Sequence, residues 1–266
     1  MPISLHRVNA GSYWTDGGAM LGVLPRAIWG KSVTTDDRHR KELALNLLLI
    51  KAGERLILVD TGLGNRLSDK QRDIYQPSSF LLPSSLAELG VKDVDITDVI
   101  LTHLHFDHAG GIVTGFGNMD LLTFSRARHW IQASEWETAK APDGLNAAAY
   151  AFEQQLALLE KRGKLELVDG DHELIPGVKL VKTGGHTCGS QIVEIECPAG
   201  FYIYAADIIP TLWHTRPAVT SAYDVCREDT FRAKQLIYSR LKEKDGTLLL
   251  NHDLGRWELP MSELRI

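Results

Sequence analysis

The sequence lacks the features that define several large classes of protein. No uncharged apolar stretch of roughly 18 residues occurs in it, so it predicts no transmembrane helix. Its 3 cysteines have no C-x-x-C spacing, which argues against a disulfide framework and against a structural thiolate zinc site. Its start has no basic segment followed by an apolar stretch. We therefore predict no secretory signal and a cytoplasmic location.

Positive charge is also scarce. Lys and Arg together number 29 against 34 Asp and Glu, and the formal net charge is -5. Because nucleic-acid-binding proteins usually carry a basic face, we predict no nucleic-acid partner, and the lack of an apolar span predicts no membrane partner. With 44% hydrophobic residues and no Pro/Gly/Ser-rich linker, the chain is predicted to fold as a single domain over residues 1–266.

The hydrophobic pattern predicts an α/β protein. Helical spacing of apolar residues predicts helices at 84–89, 146–161 and 230–244. Apolar runs predict strands at 43–50, 55–59, 99–101, 178–181, 191–195, 201–205 and 248–250. Strands thus recur in each half of the chain with helices between them, which predicts two packed sheets with helices outside.

A dense group of potential metal ligands follows the strand predicted at 99–101. The run is His103-Leu104-His105-Phe106-Asp107-His108. Strand alternation would place His103, His105 and Asp107 on one side, and a turn there could add His108. Imidazole and carboxylate together suit zinc, iron, manganese or cobalt, and the absence of cysteine from the run argues against a purely structural zinc site.

Further candidates lie just beyond later predicted strands, at His186, Asp207 and His252. A lone His or Asp at a strand end is more often a cap or turn residue than a ligand. Four side chains are too few for two ions, however, and the three later residues could complete a dinuclear site. A carboxylate between two cations is a natural bridging ligand because its charge offsets their repulsion.

Such a site would support hydrolysis. Two cations about 3.5 to 4 Å apart lower the pKa of a shared water, so hydroxide becomes available as a nucleophile near neutral pH. One cation can also polarise the carbonyl or phosphoryl oxygen of the substrate. We expect Asp107 and Asp207 to be the catalytic carboxylates, with Asp107 helping to orient the water.

These motifs resemble those of the metallo-β-lactamase superfamily. The resemblance rests on the segment 102–111 (THLHFDHAGG), on Gly185-His186-Thr187, Ala206-Asp207 and Asn251-His252, and on Asp60-Thr61-Gly62. It implies an αββα sandwich of two mixed sheets with helices on the outer faces. It also implies two divalent metal ions, zinc first, with iron, manganese or cobalt as alternatives.

The resemblance further implies a role for each residue. His103, His105 and His186 would hold one ion, and Asp107, His108 and His252 would hold the other. Asp207 would bridge the two ions. Asp60 would be a structural residue near the site.

Within the superfamily, the segment 103–111 (HLHFDHAGG) and the N-terminal run 16–25 look most like the quorum-quenching lactonases, which open N-acyl-homoserine lactones, and their organophosphate-hydrolysing relatives. This implies a small lactone substrate and, by analogy, a homodimer. Many such lactonases have a Tyr three residues after the bridging Asp, where this chain has Pro210. Tyr75, Tyr223 or His214 could assist instead if the fold brings one of them near.

Three alternatives stay open at the level of sequence. The same site could hydrolyse a phosphotriester, a thioester or a β-lactam, because hydroxide attack serves all of them. A non-hydrolytic iron protein is a further reading. The apolar N-terminal residues Met20 and Trp29 could line a pocket for an acyl chain or simply pack in the core.

Overall fold

The computed structural model describes residues 2–116, 119–151 and 156–264. Its strands, numbered in chain order, are β1 (Ile3–Asp16), β2 (Arg40–Ala52), β3 (Arg55–Val59), β4 (Asp98–Ile100), β5 (Val113–Phe116), β6 (Met119–Leu122), β7 (Arg128–Gln132), β8 (Leu165–Val168), β9 (His172–Ile175), β10 (Val178–Lys182), β11 (Gln191–Cys197), β12 (Gly200–Tyr204), β13 (Thr247–Leu249) and β14 (Glu258–Pro260).

The α-helices are α1 (Gly17–Leu21), α2 (Arg26–Trp29), α3 (Asp69–Tyr75), α4 (Leu82–Glu88), α5 (Phe106–Ala109), α6 (Ala133–Lys140), α7 (Ala157–Lys161) and α8 (Arg227–Lys244). Short 3-10 helices span Asp93–Asp95, Gly110–Ile112, Ala147–Ala149, Ala206–Ile208, Leu212–Thr215 and Met261–Glu263. No helix among the described residues combines the length and the apolar character needed to cross a membrane.

Two mixed sheets of six strands each form the centre of the fold. The first has the order β1-β2-β3-β4-β7-β8 and the second the order β14-β13-β12-β11-β10-β9. In the first sheet the β1/β2 and β2/β3 pairs are antiparallel, whereas β3, β4, β7 and β8 run parallel. In the second, only the β12/β13 pair is parallel.

Both faces of each sheet are covered, which explains why the strands are rich in apolar residues. In β2, Leu48 belongs to the core between the sheets while Leu47 and Leu49 belong to the core on the outer face. On the outside of the second sheet, Ile237 of α8 packs with Ile203 of β12. Each such side chain contributes about 1.5–3 kcal/mol when fully buried. The predicted αββα layering is confirmed.

The helix predicted at 146–161 is wrong as a continuous element. Ala147–Ala149 form a 3-10 turn and Tyr150 is extended, with φ -106° and ψ 144°. Residues 152–155 lie outside the described residues, and the α-helix that follows is Ala157–Lys161. The cause is a tertiary contact, because Tyr150 turns inward and its hydroxyl donates to Glu135 Oε1 at 3.2 Å.

The other predicted elements are present, most with shifted ends, and β3 spans the predicted residues 55–59. The helix predicted at 230–244 begins earlier, at Arg227, and its C-cap is Asp245 in the left-handed conformation at φ 48°. The hairpin between β2 and β3 turns through Gly53 at φ 60°. Five strands, β3, β4, β10, β12 and β13, end shortly before the residues singled out in the sequence, and both sheets thus contribute to one site.

Candidate active site

The seven predicted ligands converge from both sheets. The potential ligand atoms form two groups in which all atoms lie within 4.8 Å of one another. The first group is His103, His105 and His186, and the second is Asp107, His108, Asp207 and His252. The geometry brings these side chains together, and their role as metal ligands stays a prediction.

The route by which the first run reaches the site differs from the one predicted. Strand alternation does not operate, because β4 ends at Ile100 and His103 and His105 lie in the loop beyond it. Asp107 and His108 instead lie on the short helix α5. This helical turn, and not a pleated strand, brings the side chains of Asp107 and His108 close to Asp207 and His252.

Close approaches between ligand atoms describe the geometry of the two groups. His105 Nδ1 and His186 Nε2 are 3.1 Å apart in the first group, and His108 Nε2 and His252 Nε2 are 3.3 Å apart in the second. Asp207 Oδ1 lies 3.2 Å from both His108 Nε2 and His252 Nε2, whereas Asp207 Oδ2 lies 3.4 Å from His186 Nε2. The two oxygens of Asp207 thus face different groups.

These spacings fit metal ions. Two nitrogens that ligate one tetrahedral zinc at about 2.0–2.1 Å are about 3.3 Å apart, close to the separations seen here. His103 Nε2 is buried and has no hydrogen-bond partner among the described residues. A buried nitrogen without a partner is unfavourable, and a cation would satisfy its lone pair.

The charge states of the protein alone also suit cations. Burial, together with His186, lowers the pKa of His105 to about 3, and burial with neighbouring histidines holds the pKa of His103 well below its usual value. Both rings are therefore neutral, as ligands must be. Burial opposes ionisation of Asp207, but His252 and His108 outweigh it and hold the pKa of this carboxyl well below its ordinary value.

In the second group, both histidines have raised pKa values. Burial disfavours protonation of His108 and His252, yet the surrounding carboxylates, with Asp207 the largest contributor, outweigh it. They raise the pKa of His252 to about 9 and that of His108 well above its ordinary value. A divalent ion would take the place of these protons between the rings and the carboxylates.

A buried carboxylate beneath the site holds His108 in place. Asp60 accepts hydrogen bonds from Thr102 N at 2.8 Å and from Thr102 Oγ1, and its Oδ2 lies 2.9 Å from His108 Nδ1. Asp60 has φ 61°, a left-handed conformation that Asp adopts more readily than most residues. Ala206 is also left-handed, at φ 46°, and directly precedes Asp207. Such backbone costs about 1–3 kcal/mol and clusters at functional sites.

Sequence reasoning missed several residues that contact these side chains. The Tyr13 hydroxyl donates to Asp107 Oδ2 at 2.6 Å. The fully buried Glu135 accepts from Leu104 N at 3.0 Å and from Thr187 Oγ1 at 2.6 Å, so it connects the two loops that carry the first group. No local motif marks these residues, because each contact joins positions far apart in the chain.

A cavity of about 590 Å³ opens onto both groups. Its described lining contains no Lys or Arg. The lining residues are Tyr13, Thr15, Met20, Tyr75, His105, Phe106, Asp107, Asp143, Leu145, Asn146, Ala148, Ala149, His186, Asp207, Ala222, Tyr223, Asp224 and Val225. The lining also contains four aspartates, and apolar side chains such as Met20, Phe106 and Val225 lie beside the candidate metal centre, as is usual for small-molecule sites.

The cavity lining shows which of the residues left open by the sequence lie near the site. Tyr75 and Tyr223 line it, and so does Met20. His214 does not. It is buried with Nδ1 2.8 Å from Thr211 Oγ1 and Nε2 2.9 Å from the Met20 carbonyl oxygen, so the structure offers it no direct part. Trp29 is buried in α2 outside the cavity lining, so the pocket role considered for it is wrong.

Pro210 also has a defined position. Its carbonyl oxygen accepts a hydrogen bond from His252 N at 3.0 Å. The ring of His252 is held from the other side, since its Nδ1 lies 2.7 Å from the Ala44 carbonyl oxygen. The residue in place of the lactonase Tyr therefore supports the backbone of a predicted ligand.

Comparisons with known proteins show which family the chain resembles. An N-acyl homoserine lactonase of Bacillus cereus is 30% identical over 160 residues, which are 56% of each chain, so the match spans little more than half of that relative. The structure of a probable metal-dependent hydrolase from Staphylococcus aureus is 30% identical, with a TM-score of 0.90 over 97% of this chain and 92% of the other.

A second structural neighbour is AidC, described as a dizinc quorum-quenching lactonase, which is 21% identical with a TM-score of 0.76 and covers 96% of this chain and 89% of its own. At that identity it supports the fold alone. The model of the metallo-beta-lactamase superfamily matches residues 41–236, a span that holds six of the seven converging residues. From this match, and from the layered fold around the cluster, it follows that the chain belongs to the metallo-beta-lactamase superfamily.

Proposed function

We propose that this protein is a dinuclear metal-dependent hydrolase that opens lactones, with N-acyl-homoserine lactones as the leading substrate class. The observation that carries the proposal is the cavity, which joins the two ligand groups to several apolar side chains and has four aspartates but no Lys or Arg in its described lining. Such a cavity favours an uncharged substrate with an apolar arm. The N-acyl homoserine lactonase of Bacillus cereus, 30% identical over the part that matches, supports the same choice, which would make the protein an enzyme of quorum quenching.

The chain's own residues have separate roles in this proposal. His103, His105 and His186 would hold one ion, and Asp107, His108 and His252 the other, with one oxygen of Asp207 towards each. We take zinc as the first choice. When bound, two such ions supply a water of lowered pKa and a Lewis acid for the ester carbonyl.

Tyr13 would orient Asp107 within the site. Its hydroxyl donates to Asp107 Oδ2, the oxygen that also lies 3.4 Å from His252 Nε2. Burial, followed by the charge of Asp107, raises the pKa of Tyr13 well above its ordinary value, so the phenol keeps its proton and stays a donor. Asp107 is thereby fixed in the cavity lining, where it can accept a hydrogen bond from a reacting water.

The cavity also ranks the alternatives. A phosphotriester is uncharged and suits the same lining, so phosphotriester hydrolysis is the second candidate. β-Lactam antibiotics carry a carboxylate, which would find no cationic partner among the lining residues described. Thioesters built on anionic carriers meet the same obstacle.

A hydrolysis panel with metal analysis on the same sample tests the proposal. Lactones, phosphotriesters, thioesters and β-lactams are compared, and we expect the lactones to be cleaved fastest by a protein that holds two ions per chain. Lactone turnover no faster than background would remove the substrate claim. One redox-active iron with oxygen uptake would instead support a non-hydrolytic protein.

Replacing Met20 by Ala is expected to reduce the preference for long acyl chains. Met20 lines the cavity, and each methylene that it buries is worth about 0.8 kcal/mol, so kcat/KM for a decanoyl lactone should fall by roughly tenfold. The value for a butanoyl lactone should hardly change. Trp29→Phe is the matched control, because Trp29 is buried outside the cavity and should affect stability without changing chain-length preference. Equal losses for both lactones in Met20→Ala would contradict the acyl-chain wall.

A further inference from the structure

One carboxylate connects the first ligand group with the wall of the cavity. Asp224 Oδ1 lies 2.9 Å from His186 Nδ1, and the Asp224 side chain is only 1% exposed. The other nitrogen of that ring, Nε2, points into the group, 3.1 Å from His105 Nδ1. A carboxylate that accepts from Nδ1–H leaves the lone pair on Nε2 and fixes the plane of the ring.

The second oxygen of Asp224 holds the chain that lines the cavity. Oδ2 accepts a hydrogen bond from Ser221 N at 3.2 Å, which closes a turn over residues 221–225, the wall segment. Ser221 Oγ and Ala222 N both donate to the Ala19 carbonyl oxygen, at 3.2 and 2.8 Å. The wall segment is thereby fastened to α1, whose Met20 lines the same cavity.

The backbone reinforces this link. Val225 N donates to the His186 carbonyl oxygen at 3.2 Å, so the wall segment and the His186 loop are joined by main chain as well as by side chain. The nearby buried Lys234 donates to the carbonyl oxygens of His214 and Val219. The hydrogen bonds described for Asp224 go to His186 and Ser221, one through each oxygen.

We propose that Asp224 is a positioning residue that orients His186 towards the first ion and, through Ser221, sets the position of the cavity wall that contacts the substrate. The inference rests on the proposed dinuclear function. A change at Asp224 then alters metal retention and substrate binding together, whereas a change elsewhere in the wall segment alters substrate binding alone.

Metal titration of the purified full chain tests this. Wild type, Asp224→Ala and Asp224→Asn are stripped with a chelator and titrated with Co²⁺ and Zn²⁺, and the visible cobalt spectrum reports the ligand field. We expect Asp224→Ala to bind one of its two ions about 10–100-fold more weakly, with an altered cobalt spectrum. Asp224→Asn keeps one acceptor oxygen and should lie between wild type and Asp224→Ala.

Ser221→Ala is the matched control. It removes the Ser221 Oγ bond to Ala19 but keeps Ser221 N, the donor to Asp224. We expect its KM for a long-chain lactone to rise while its cobalt affinity and spectrum stay those of wild type. In the Asp224 variants both KM and metal affinity should change.

Three outcomes are distinguishable. Selective weakening of one ion in Asp224→Ala, or in Asp224→Asn should the alanine variant not fold, supports the inference. Folded Asp224 variants with wild-type affinities and an unchanged cobalt spectrum would overturn the inference alone. A wild type that binds no second ion would overturn the proposed function and the inference with it, irrespective of any activity measurement.

Discussion

The variant Asp207→Ala is expected to lose at least about a thousandfold in kcat/KM and to retain fewer than two ions per chain. Asp207 is the residue whose two oxygens face both ligand groups, within 3.2 to 3.4 Å of three imidazole nitrogens. Its removal takes away the charge that holds the groups together. Metal-ion catalysis is worth several kcal/mol of transition-state stabilisation, and each 1.4 kcal/mol corresponds to a factor of ten.

The measurement is lactone hydrolysis with metal analysis on the same preparation. His105→Ala should give a comparable loss, because it removes one of only three side chains in the first group. Asp169→Ala is the control for purification and folding, since its carboxylate lies on the surface, 83% exposed, and pairs with Lys182. Full activity and full metal content in both site variants would overturn the site itself.

Asp60→Asn should have the second-largest effect, although Asp60 is not one of the seven predicted ligands. Its oxygens accept from Thr102 N, Thr102 Oγ1 and His108 Nδ1. In the Asn variant an amide NH2 replaces one oxygen, and an NH2 group cannot accept these hydrogen bonds. We expect the free energy of unfolding to fall by about 3 kcal/mol and ion affinity in the second group to fall about 10–100-fold. Asn tolerates the left-handed backbone at this position, so strain does not confound the comparison.

Denaturant unfolding and metal titration together measure this effect. Asp98→Asn is the matched control, because Asp98 is another buried carboxylate of the first sheet, bonded to Arg55 Nε and Trp130 Nε1 away from the site. It should lower stability while leaving ion affinity unchanged. If Asp60→Asn weakened the fold but left ion binding at the wild-type level, Asp60 would have no part in positioning His108.

The layers of the fold and several residues of the site could be predicted because the buried strands have a clear hydrophobic pattern. Strands such as β2 are buried on both faces, so they are rich in apolar residues throughout and are easily recognised in the sequence. His186 and His252 could be selected because each lies just beyond the end of such a strand, where rigid strands can bring side chains to one edge of a sheet. The mistaken helix at 146–161 shows the limit, since the inward turn of Tyr150 depends on Glu135.

Contacts between distant residues could not be predicted in the same way. Tyr13 and Asp107 are 94 positions apart, and His186 and Asp224 are 38 apart. Nothing in the local composition around Tyr13 or Asp224 distinguishes them from ordinary strand and turn residues. Their contacts arise only because β1 and the wall segment reach the same cavity from opposite ends of the chain.

The division of the site between the two sheets has a consequence for biosynthesis. His108 and His252, which lie side by side in the second group, are separated by 144 positions. At about 5–20 residues per second, a ribosome takes roughly 7–30 s to pass from one to the other. The first histidine run therefore emerges long before its partners. The second group of potential ligands is therefore complete only after residue 252 has been synthesised, so loading of two ions would be a late step of maturation.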